Sequence, residues 1–251
     1  GRVRNLIKST IEEIDTFTTG THRRVTAQNF LEKDFDGDDL NTDLFDNMKN
    51  SFDIDLADMD YVSWRKRLLE DAETLELLIL MIGDITPVHD TKLQTLLQII
   101  TNKVQNPFNK GNKKVLIFSA FSDTVDYLYK EIAPIMKTRF DIETAMITGT
   151  VDGRTTAKMK HADMNTILTL FSPLSKDKML LMPNEPIEID ILIATDCISE
   201  GQNLQDCDYC INYDIHWNPV RIIQRFGRID RIGSRNEKIQ LVNFWPNIDL
   251  D

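Results

Sequence analysis

The chain has 251 residues, 41% of them hydrophobic and 27% charged, which is ordinary for a protein with a packed core. This length suits one large domain or two modest ones. No apolar run approaches the ~20 residues needed to cross a bilayer, and the N-terminus carries no signal-peptide pattern. Three cysteines do not make a secreted disulfide framework. The composition therefore argues against a membrane partner and predicts a reduced, cytoplasmic protein.

Charge is distributed unevenly along the chain. The formal net charge is −11, yet residues 34–60 alone carry −9 and residues 221–238 carry +4. Because local charge decides what docks at a given surface, the overall sign does not exclude nucleic acid as a partner. It does predict weak non-specific binding to a duplex.

Residues 1–110 have the pattern of a mainly helical segment with an acidic loop at 34–60. Leucines and isoleucines recur there at spacings of three and four residues, which suits helices with one apolar face. The predicted helices cover residues 5–17, 64–81 and 90–104. Asp90 is expected to cap the last of them.

Residues 111–251 alternate short apolar runs with helical patterns. The predicted strands cover residues 115–118, 144–147, 187–194, 209–213 and 239–244, and the predicted helices cover 124–136, 156–171 and 219–226. Runs such as VLIF and ILIA lack polar alternation, as strands buried on both faces of a parallel sheet do. This order predicts an α/β domain with a doubly wound parallel sheet, whose ligands lie beyond the carboxyl ends of its strands.

The acidic loop contains a segment that invites a calcium interpretation. Asp34, Asp36 and Asp38 alternate as at the start of an EF-hand loop. The sixth and twelfth positions would then be Asp39 and Phe45, where glycine and glutamate are needed. The pattern favours a solvated acidic loop instead.

The cysteines invite a zinc interpretation. Cys207 and Cys210 form a C-x-x-C pattern with His216 downstream, and only Cys197 could complete a set of four ligands. Cys210 falls within a predicted buried strand, where cysteine serves as a small hydrophobic residue. We therefore predict no metal site.

Two other segments have the pattern of a phosphate site. ATDCISEGQNLQ (194–205) follows a predicted buried strand, and QRFGRIDRIGS (224–234) comes after the next predicted strand. Gln224, Arg228 and Arg231 stand at spacings of four and three, which on a helix places them on one face. Guanidinium groups arranged in this way suit a triphosphate, because their planar forks match phosphate oxygens in pairs. A basic, solvated helix is the alternative, and it does not account for the preceding ATD-x-x-S-E-G-x-N segment.

These segments resemble motifs V and VI of superfamily-two helicases. The SEG-x-N form and the intervening INYDIHWNPVRIIQR are most similar to the Swi/Snf branch, which includes the bacterial RNA-polymerase-associated translocases. VLIFSAF (115–121) is similar to motif IV, and Thr148-Gly149 matches the position of a further backbone-contacting motif. The resemblance covers residues 111–251 and implies a RecA-like helicase C-terminal lobe. It does not extend to residues 1–110.

The resemblance implies a role for each matching residue. Arg228 and Arg231 are expected to contact the γ-phosphate of ATP held on another lobe, one of them as an arginine finger, while Gln224 links nucleotide state to the cleft. The residues expected beside the nucleotide are Glu200, Gly201 and Asn203. The residues expected to touch the phosphodiester backbone of the tracked strand are Ser119, Phe121, Thr148, Gly149 and Thr195.

Half of an ATPase site is missing from the sequence. It contains no G-x-x-x-x-G-K-[ST] phosphate loop and no D-E-x-[HD] segment for magnesium. The resemblance places both in an N-terminal helicase lobe, so ATP with Mg²⁺ is expected to be bound mainly by that absent lobe. We therefore expect a piece of a larger protein that is inactive alone. The parent is expected to be a nucleic-acid-dependent ATPase, with duplex DNA as the favoured partner.

Two points stay open in the sequence. Residues 1–110 suit an insertion or inter-lobe element, and also the partner-binding half of a non-enzymatic RecA-like scaffold. The motor is favoured because a scaffold has no use for Arg228 and Arg231 on one face. Residues 172–186 contain three prolines and suit either a subfamily insertion or a surface loop without function. A self-contained nucleotide hydrolase is disfavoured by the missing phosphate loop.

Overall fold

A computed structural model describes most of the chain, with gaps. The described residues are 2–18, 25–26, 53–54, 56–83, 86–149, 153–159, 162–198, 202–215 and 218–245. Much of the predicted acidic loop, including the segment weighed as a calcium site, lies outside these ranges. The chain divides into two compact units, residues 1–89 and 90–251.

The first unit is built on a pair of helices. Helix α1 spans Arg2–Thr18, strands β1 (Val25–Thr26) and β2 (Asp53–Ile54) form a short antiparallel pair, and helix α2 spans Tyr61–Gly83. The helices predicted over 5–17 and 64–81 are thus confirmed, each a few residues longer than expected.

Apolar contacts and ion pairs, Arg65 with Asp15 and Lys8 with Glu76, join the two helices of this unit. Ile14 is fully buried, and the ring of Phe17 meets the ring of Tyr61 edge-on with centroids 5.3 Å apart. Arg65 Nε lies 2.5 Å from Asp15 Oδ1 across the helix pair. Both side chains of the Arg65–Asp15 pair are partly exposed, so solvent screens the charge and the pair adds little stability.

The second unit begins with helix α3, Thr91–Gln105. The Asp90 carboxylate accepts a hydrogen bond from Leu93 N at 3.0 Å, which confirms the predicted N-cap. Leu93, Leu96 and Ile100 of α3 are buried in the core that also contains the central strands. This helix therefore belongs with the α/β unit, and the unit boundary lies about twenty residues before the one expected from the texture of the sequence.

A six-stranded sheet with helices forms the rest of the second unit. In chain order its elements are β3 (Val115–Phe118), α4 (Ser122–Phe140), β4 (Thr144–Ile147), β5 (Arg154–Thr155), α5 (Met164–Phe171), α6 (Lys178–Leu181), β6 (Ile191–Ala194), β7 (Tyr209–Asn212), α7 (Pro219–Phe226) and β8 (Gln240–Asn243). The strand order is β5-β4-β6-β3-β7-β8, and every pairing is parallel except β4 with β5. This confirms the predicted α/β fold.

Burial on both faces explains why the apolar runs form the middle of the sheet. All four residues of β3, of β4 and of β6 are buried, whereas β8 at the edge is only partly covered. Two apolar layers flank the sheet: residues such as Ile117 and Ile193 pack against α3 and α4, and Phe118 and Leu192 pack on the opposite face. The two central strands β3 and β6 accordingly contain only apolar residues, as the sequence indicated.

The predicted helix over 156–171 is wrong in its first half. The helix starts only at Met164, after Asp163 caps it through a hydrogen bond from Thr166 N. Strand β5 ends at Thr155, directly before the predicted start, and Thr156 N continues the pairing by donating to Thr144 O at 3.0 Å. Pairing with the edge of β4 satisfies backbone groups there, so this long-range partner overrides the local helical pattern.

The 172–186 segment is held down at both ends. Leu174 N and Ser175 N donate to the Asp206 carboxylate at 2.6 and 3.0 Å, and Lys178 Nζ donates to Ile187 O at 2.6 Å. Met179, Leu180 and Leu181 of the short helix α6 are exposed between these anchors. Whether this segment is a subfamily insertion stays a prediction.

None of the helices in the described ranges combines the length and apolar character needed to span a membrane.

Candidate functional site

Loops from four neighbouring strands meet at the carboxyl edge of the sheet. Backbone hydrogen bonds extend the ladder into them: Ser119 N donates to Ala194 O at 3.1 Å, and Thr195 N donates to Ile147 O at 3.2 Å. Tyr213 N donates to Phe118 O at 2.8 Å. The residues that follow β3, β4, β6 and β7 are therefore fixed side by side, where ligands of such folds bind.

The residues predicted to contact the nucleic-acid backbone all lie at this edge of the sheet, but their side chains differ in exposure. Ser119, Thr148 and Thr195 are buried, while the side chain of Phe121 is 63% exposed. Gly149 is also exposed. Within the described part of the chain, Thr148 Oγ1 is buried without a hydrogen-bond partner. Phe121 and Gly149 form the accessible surface here, and the three hydroxyl side chains lie beneath it.

Ser119 is tied to the loop after β7. Its hydroxyl donates to the Asp214 carboxylate and accepts from Phe121 N at 3.3 Å. Lys92 Nζ approaches the same carboxylate at 3.0 Å and lies 3.8 Å from the centroid of the Tyr213 ring. The Ser119 side chain is thus already engaged in positioning its neighbours.

Helix α7 carries Gln224 but neither of the predicted phosphate-binding arginines, Arg228 and Arg231. Asn218 caps it by accepting from Val220 N at 3.0 Å, and proline occupies its first turn. It ends at Phe226, where Gly227 N donates to Ile223 O at 2.8 Å. The prediction that Gln224, Arg228 and Arg231 share one helical face is therefore wrong.

A tight turn replaces the expected continuation of the helix. Ile229 N and Asp230 N both donate to Phe226 O at 3.0 Å, and the Ile229 side chain is buried in the core. Burying Ile229 pulls the chain inward directly after the helix, which a straight helix would not allow. Arg228 consequently lies in the turn, and Arg231 lies beyond it with Nε donating to Gly227 O at 3.1 Å.

The turn brings the second motif against the first. Leu204 N donates to Arg228 O at 3.0 Å, so Asn203 and Arg228 lie on paired segments. Arg228 is mostly buried, and Gln224 and Arg231 are exposed. Ser234 Oγ and Asn236 Nδ2 both donate to Gln205 O, which closes the segment on its other side. Glu200 and Gly201, also predicted beside the nucleotide, fall in a gap of the described ranges.

One central residue escaped the sequence reasoning. Arg225 is the largest fully buried side chain of the described residues, and its guanidinium pairs with Asp196. The spacing that relates Gln224, Arg228 and Arg231 does not include Arg225, so the motif pattern gives it no role. The available signal was Asp196, a carboxylate directly after a buried strand, which needs a cationic partner.

The cysteines are placed where a small hydrophobic residue is expected. Cys207 and Cys210 are fully buried, Cys210 within β7, and Cys197 is half-buried. Burial raises the pKa of the Cys207 thiol to about 12 and raises the pKa of Cys210 as well. Because the thiolate is the reactive form, both thiols are strongly protected at neutral pH.

We expect one fast-reacting thiol in the native chain. At pH ~8 a pKa of about 12 leaves roughly one Cys207 thiol in 10⁴ ionised, and iodoacetamide labelling should modify Cys197 first. Mass spectrometry of the native and denatured chain would count one label and three labels respectively. Rapid labelling of Cys207 or Cys210 in the native chain would contradict this burial.

Comparison with known protein families assigns most of the second unit to one of them. Residues 91–233, more than half of the chain, match the family described as the helicase conserved C-terminal domain. The chain belongs to the helicase C-terminal domain family. Membership confirms the family expected from motifs IV, V and VI, and with it the RecA-like fold of the second unit.

Several curated helicases match parts of this lobe. A 50-residue segment is 52% identical to the uncharacterized ATP-dependent helicase YqhH of Bacillus subtilis, and covers 20% of this chain and 9% of that protein. A 57-residue segment is 39% identical to the RNA polymerase-associated protein RapA of Pectobacterium atrosepticum, and covers 23% of this chain and 6% of that one. The lobe therefore matches less than one-tenth of either relative.

Solved helicase domains are also similar. The C-terminal part of the Fun30 ATPase domain is 19% identical, with 71% of this chain and 53% of that one covered and a TM-score of 0.41. The Hef helicase domain of Pyrococcus furiosus is 20% identical, with 70% and 29% covered and a TM-score of 0.36.

Proposed function

We propose that this chain is the C-terminal motor lobe of an ATP-dependent translocase on double-stranded nucleic acid. The observation that carries the proposal is the pairing of Leu204 with Arg228, which sets two family motifs side by side at the carboxyl edge of the sheet. In this proposal Arg228 and Asn203 would border one ligand position, which a second lobe would complete. The names of the matched relatives, which include ATP-dependent helicases, support the ATPase assignment.

Arg228 and Arg231 would act on ATP held by the first lobe. Closure of the two lobes would bring their guanidinium groups to the γ-phosphate, where charge develops as the phosphoryl group transfers. A guanidinium stays charged at any physiological pH and offers paired donors, so it stabilises that charge without a proton transfer. Gln224, exposed on the short helix α7 that precedes both arginines, would link nucleotide state to the cleft.

Magnesium would be held by the first lobe. Among the described residues proposed at the nucleotide, the charged groups are the guanidinium groups of Arg228 and Arg231, which fit phosphate oxygens and do not attract a cation. Mg²⁺ would supply charge neutralisation between the β- and γ-phosphates when bound. In this proposal the chain contributes arginines and no metal ligand.

Nucleic acid would bind at the carboxyl edge of the sheet. Phe121 and Gly149 are accessible there, and Phe121 N and the buried Thr148 hydroxyl lie close behind. Contacts of this kind go to phosphate and sugar and carry no sequence information. Duplex DNA is favoured by the resemblance to the Swi/Snf branch, and the cytoplasm is favoured by the cysteine content.

A non-enzymatic scaffold is the second candidate, and one observation favours it. Leu80, Met81 and Ile82 at the end of α2 are between 62% and 70% exposed, which is unusual for a run of large apolar side chains. A protein partner could cover them. This candidate predicts binding without any dependence on ATP.

The test is ATP hydrolysis by the full-length protein with and without duplex DNA. Stimulation by the duplex supports the motor, and background hydrolysis by the present chain alone supports the division of the site between lobes. If the duplex has no effect on the full-length protein, the motor proposal fails and the scaffold becomes the better account.

A further inference from the structure

Arg225 makes polar contacts that reach two different loops. Its Nε donates to Asp196 Oδ1 at 2.6 Å and its Nη2 pairs with Asp196 Oδ2, so the fork is bidentate. Its Nη1 donates to Asn212 Oδ1 at 3.1 Å and to the Asp214 backbone oxygen at 3.4 Å. One guanidinium on α7 thereby holds the residues that follow β6 and the end of β7.

The network extends further through Asp214. The carboxylate of Asp214 accepts the Ser119 hydroxyl, which follows β3, and the side-chain amide of Asn212 donates to Asn243 Oδ1 at 2.8 Å on β8. The Phe118 ring packs against the Arg225 guanidinium, with its centroid 5.2 Å from Arg225 Cζ. Four of the six strands are therefore connected to one buried cation.

A buried charged network is not the most stabilising way to fill a core. Taking a charged pair out of water is costly, and well-packed apolar residues often replace a buried ion pair without loss of stability. A planar fork with several fixed acceptors instead imposes one geometry on the groups around it. The Arg225 network therefore sets position more than it adds stability.

Its place in the sequence joins the two halves of the proposed site. Asp196 directly follows Thr195, and the Asp214 carboxylate accepts the Ser119 hydroxyl. Thr195 and Ser119 are two of the residues proposed to contact the nucleic-acid backbone. On the helix side Arg225 is adjacent to Gln224 and precedes Arg228 by three residues. A displacement of the strand-end loops would be passed to α7 through fixed hydrogen bonds rather than through solvent.

We propose that Arg225 is a positioning residue that couples nucleic-acid contact at the strand ends to the placement of Arg228 at ATP. This inference rests on the proposed function. Arg225 itself touches neither ligand, because its side chain is fully buried and its polar contacts are to Asp196, Asn212 and Asp214.

The experiment measures the ratio of duplex-stimulated to duplex-free ATP hydrolysis in the full-length protein. Arg225→Met keeps the volume and removes the fork. We expect the ratio to fall by roughly 10-fold to 100-fold, since a misplacement of about 1 Å at a reacting group can cost ~10² in rate. The duplex concentration at half-maximal stimulation should rise in the same variant.

Lys103→Met is the matched control. Lys103 Nζ lies 2.7 Å from Asp208 Oδ1, and this pair is as deeply buried as Arg225 and Asp196. Asp208 precedes β7, so the control pair lies at the opposite edge of the sheet from the site. Both variants leave a buried carboxylate without its cationic partner, so both should lose stability. Assays at temperatures below both unfolding transitions separate this shared loss of stability from a loss of positioning at the site. We expect the ratio of Lys103→Met to equal that of the wild type.

Each result decides the question. An unchanged ratio in Arg225→Met, or an equal loss in both variants, overturns the inference. If Arg225→Met does not fold, Arg225→Lys replaces it: one ammonium cannot reach Asp196, Asn212 and Asp214 together, so the ratio should still fall, and an unchanged ratio overturns the inference. If the wild type shows no duplex stimulation at all, the proposed function fails instead.

Discussion

Arg228→Ala is expected to lower duplex-stimulated ATP hydrolysis of the full-length protein by ~10³-fold or more, the range found for arginine fingers. The effect should appear in kcat, because the guanidinium acts on charge that develops only in the transition state. Arg228 lies in the turn after α7, paired through its backbone with Leu204, so removal of its side chain leaves that backbone contact in place. Steady-state kinetics with saturating duplex would measure the loss.

Arg235→Ala provides the control for charge. Arg235 belongs to the same basic stretch and is exposed, and no motif assigns it a role at the nucleotide. It should keep nearly full kcat while weakening duplex binding slightly. Comparable kcat in Arg228→Ala and wild type would remove Arg228 from the proposed site.

Lys103→Met is expected to lower the free energy of unfolding by about 3–5 kcal/mol, the usual consequence of stranding one member of a buried pair. Lys103 Nζ also donates to Asn112 O at 2.9 Å, and Asn109 Nδ2 donates to the other Asp208 oxygen at 2.7 Å. These bonds join α3 to the start of β7 and to the segment between α3 and β3. Urea titration of the chain, followed by circular dichroism, would measure the change.

An exposed ion pair is the comparison for this effect. Lys137 Nζ near the end of α4 lies 2.6 Å from Asp141 Oδ1 and 2.7 Å from Glu143 Oε1; the Lys137 side chain is 41% exposed and the Asp141 side chain 88%. Solvent screens such a pair, so Lys137→Met should shift the urea midpoint far less. Equal shifts for the two variants would mean that the Lys103 pair does not hold α3 on the sheet.

Local pattern was enough for most of the secondary structure. The strands predicted at 115–118 and 144–147 match β3 and β4 residue for residue. The four apolar residues of β3, and the three that follow Thr144 in β4, suit a strand covered on both faces. Asp90 was identified as a cap for a similar reason, since an N-cap bonds a backbone group three residues away. The family was likewise readable, because its motifs are short and contiguous.

The sequence by itself thus determined the α/β class, the central strands and the helicase family. Only the tertiary structure decided where α7 ends, because burying Ile229 against distant strands turns the chain at Gly227. Only the tertiary structure decided that Arg225 lies at the centre of the site, because its partner Asp196 is 29 residues away. Contacts of that kind have no fixed spacing, so periodicity cannot reveal them, whereas helix caps and buried strands leave their pattern within a few residues.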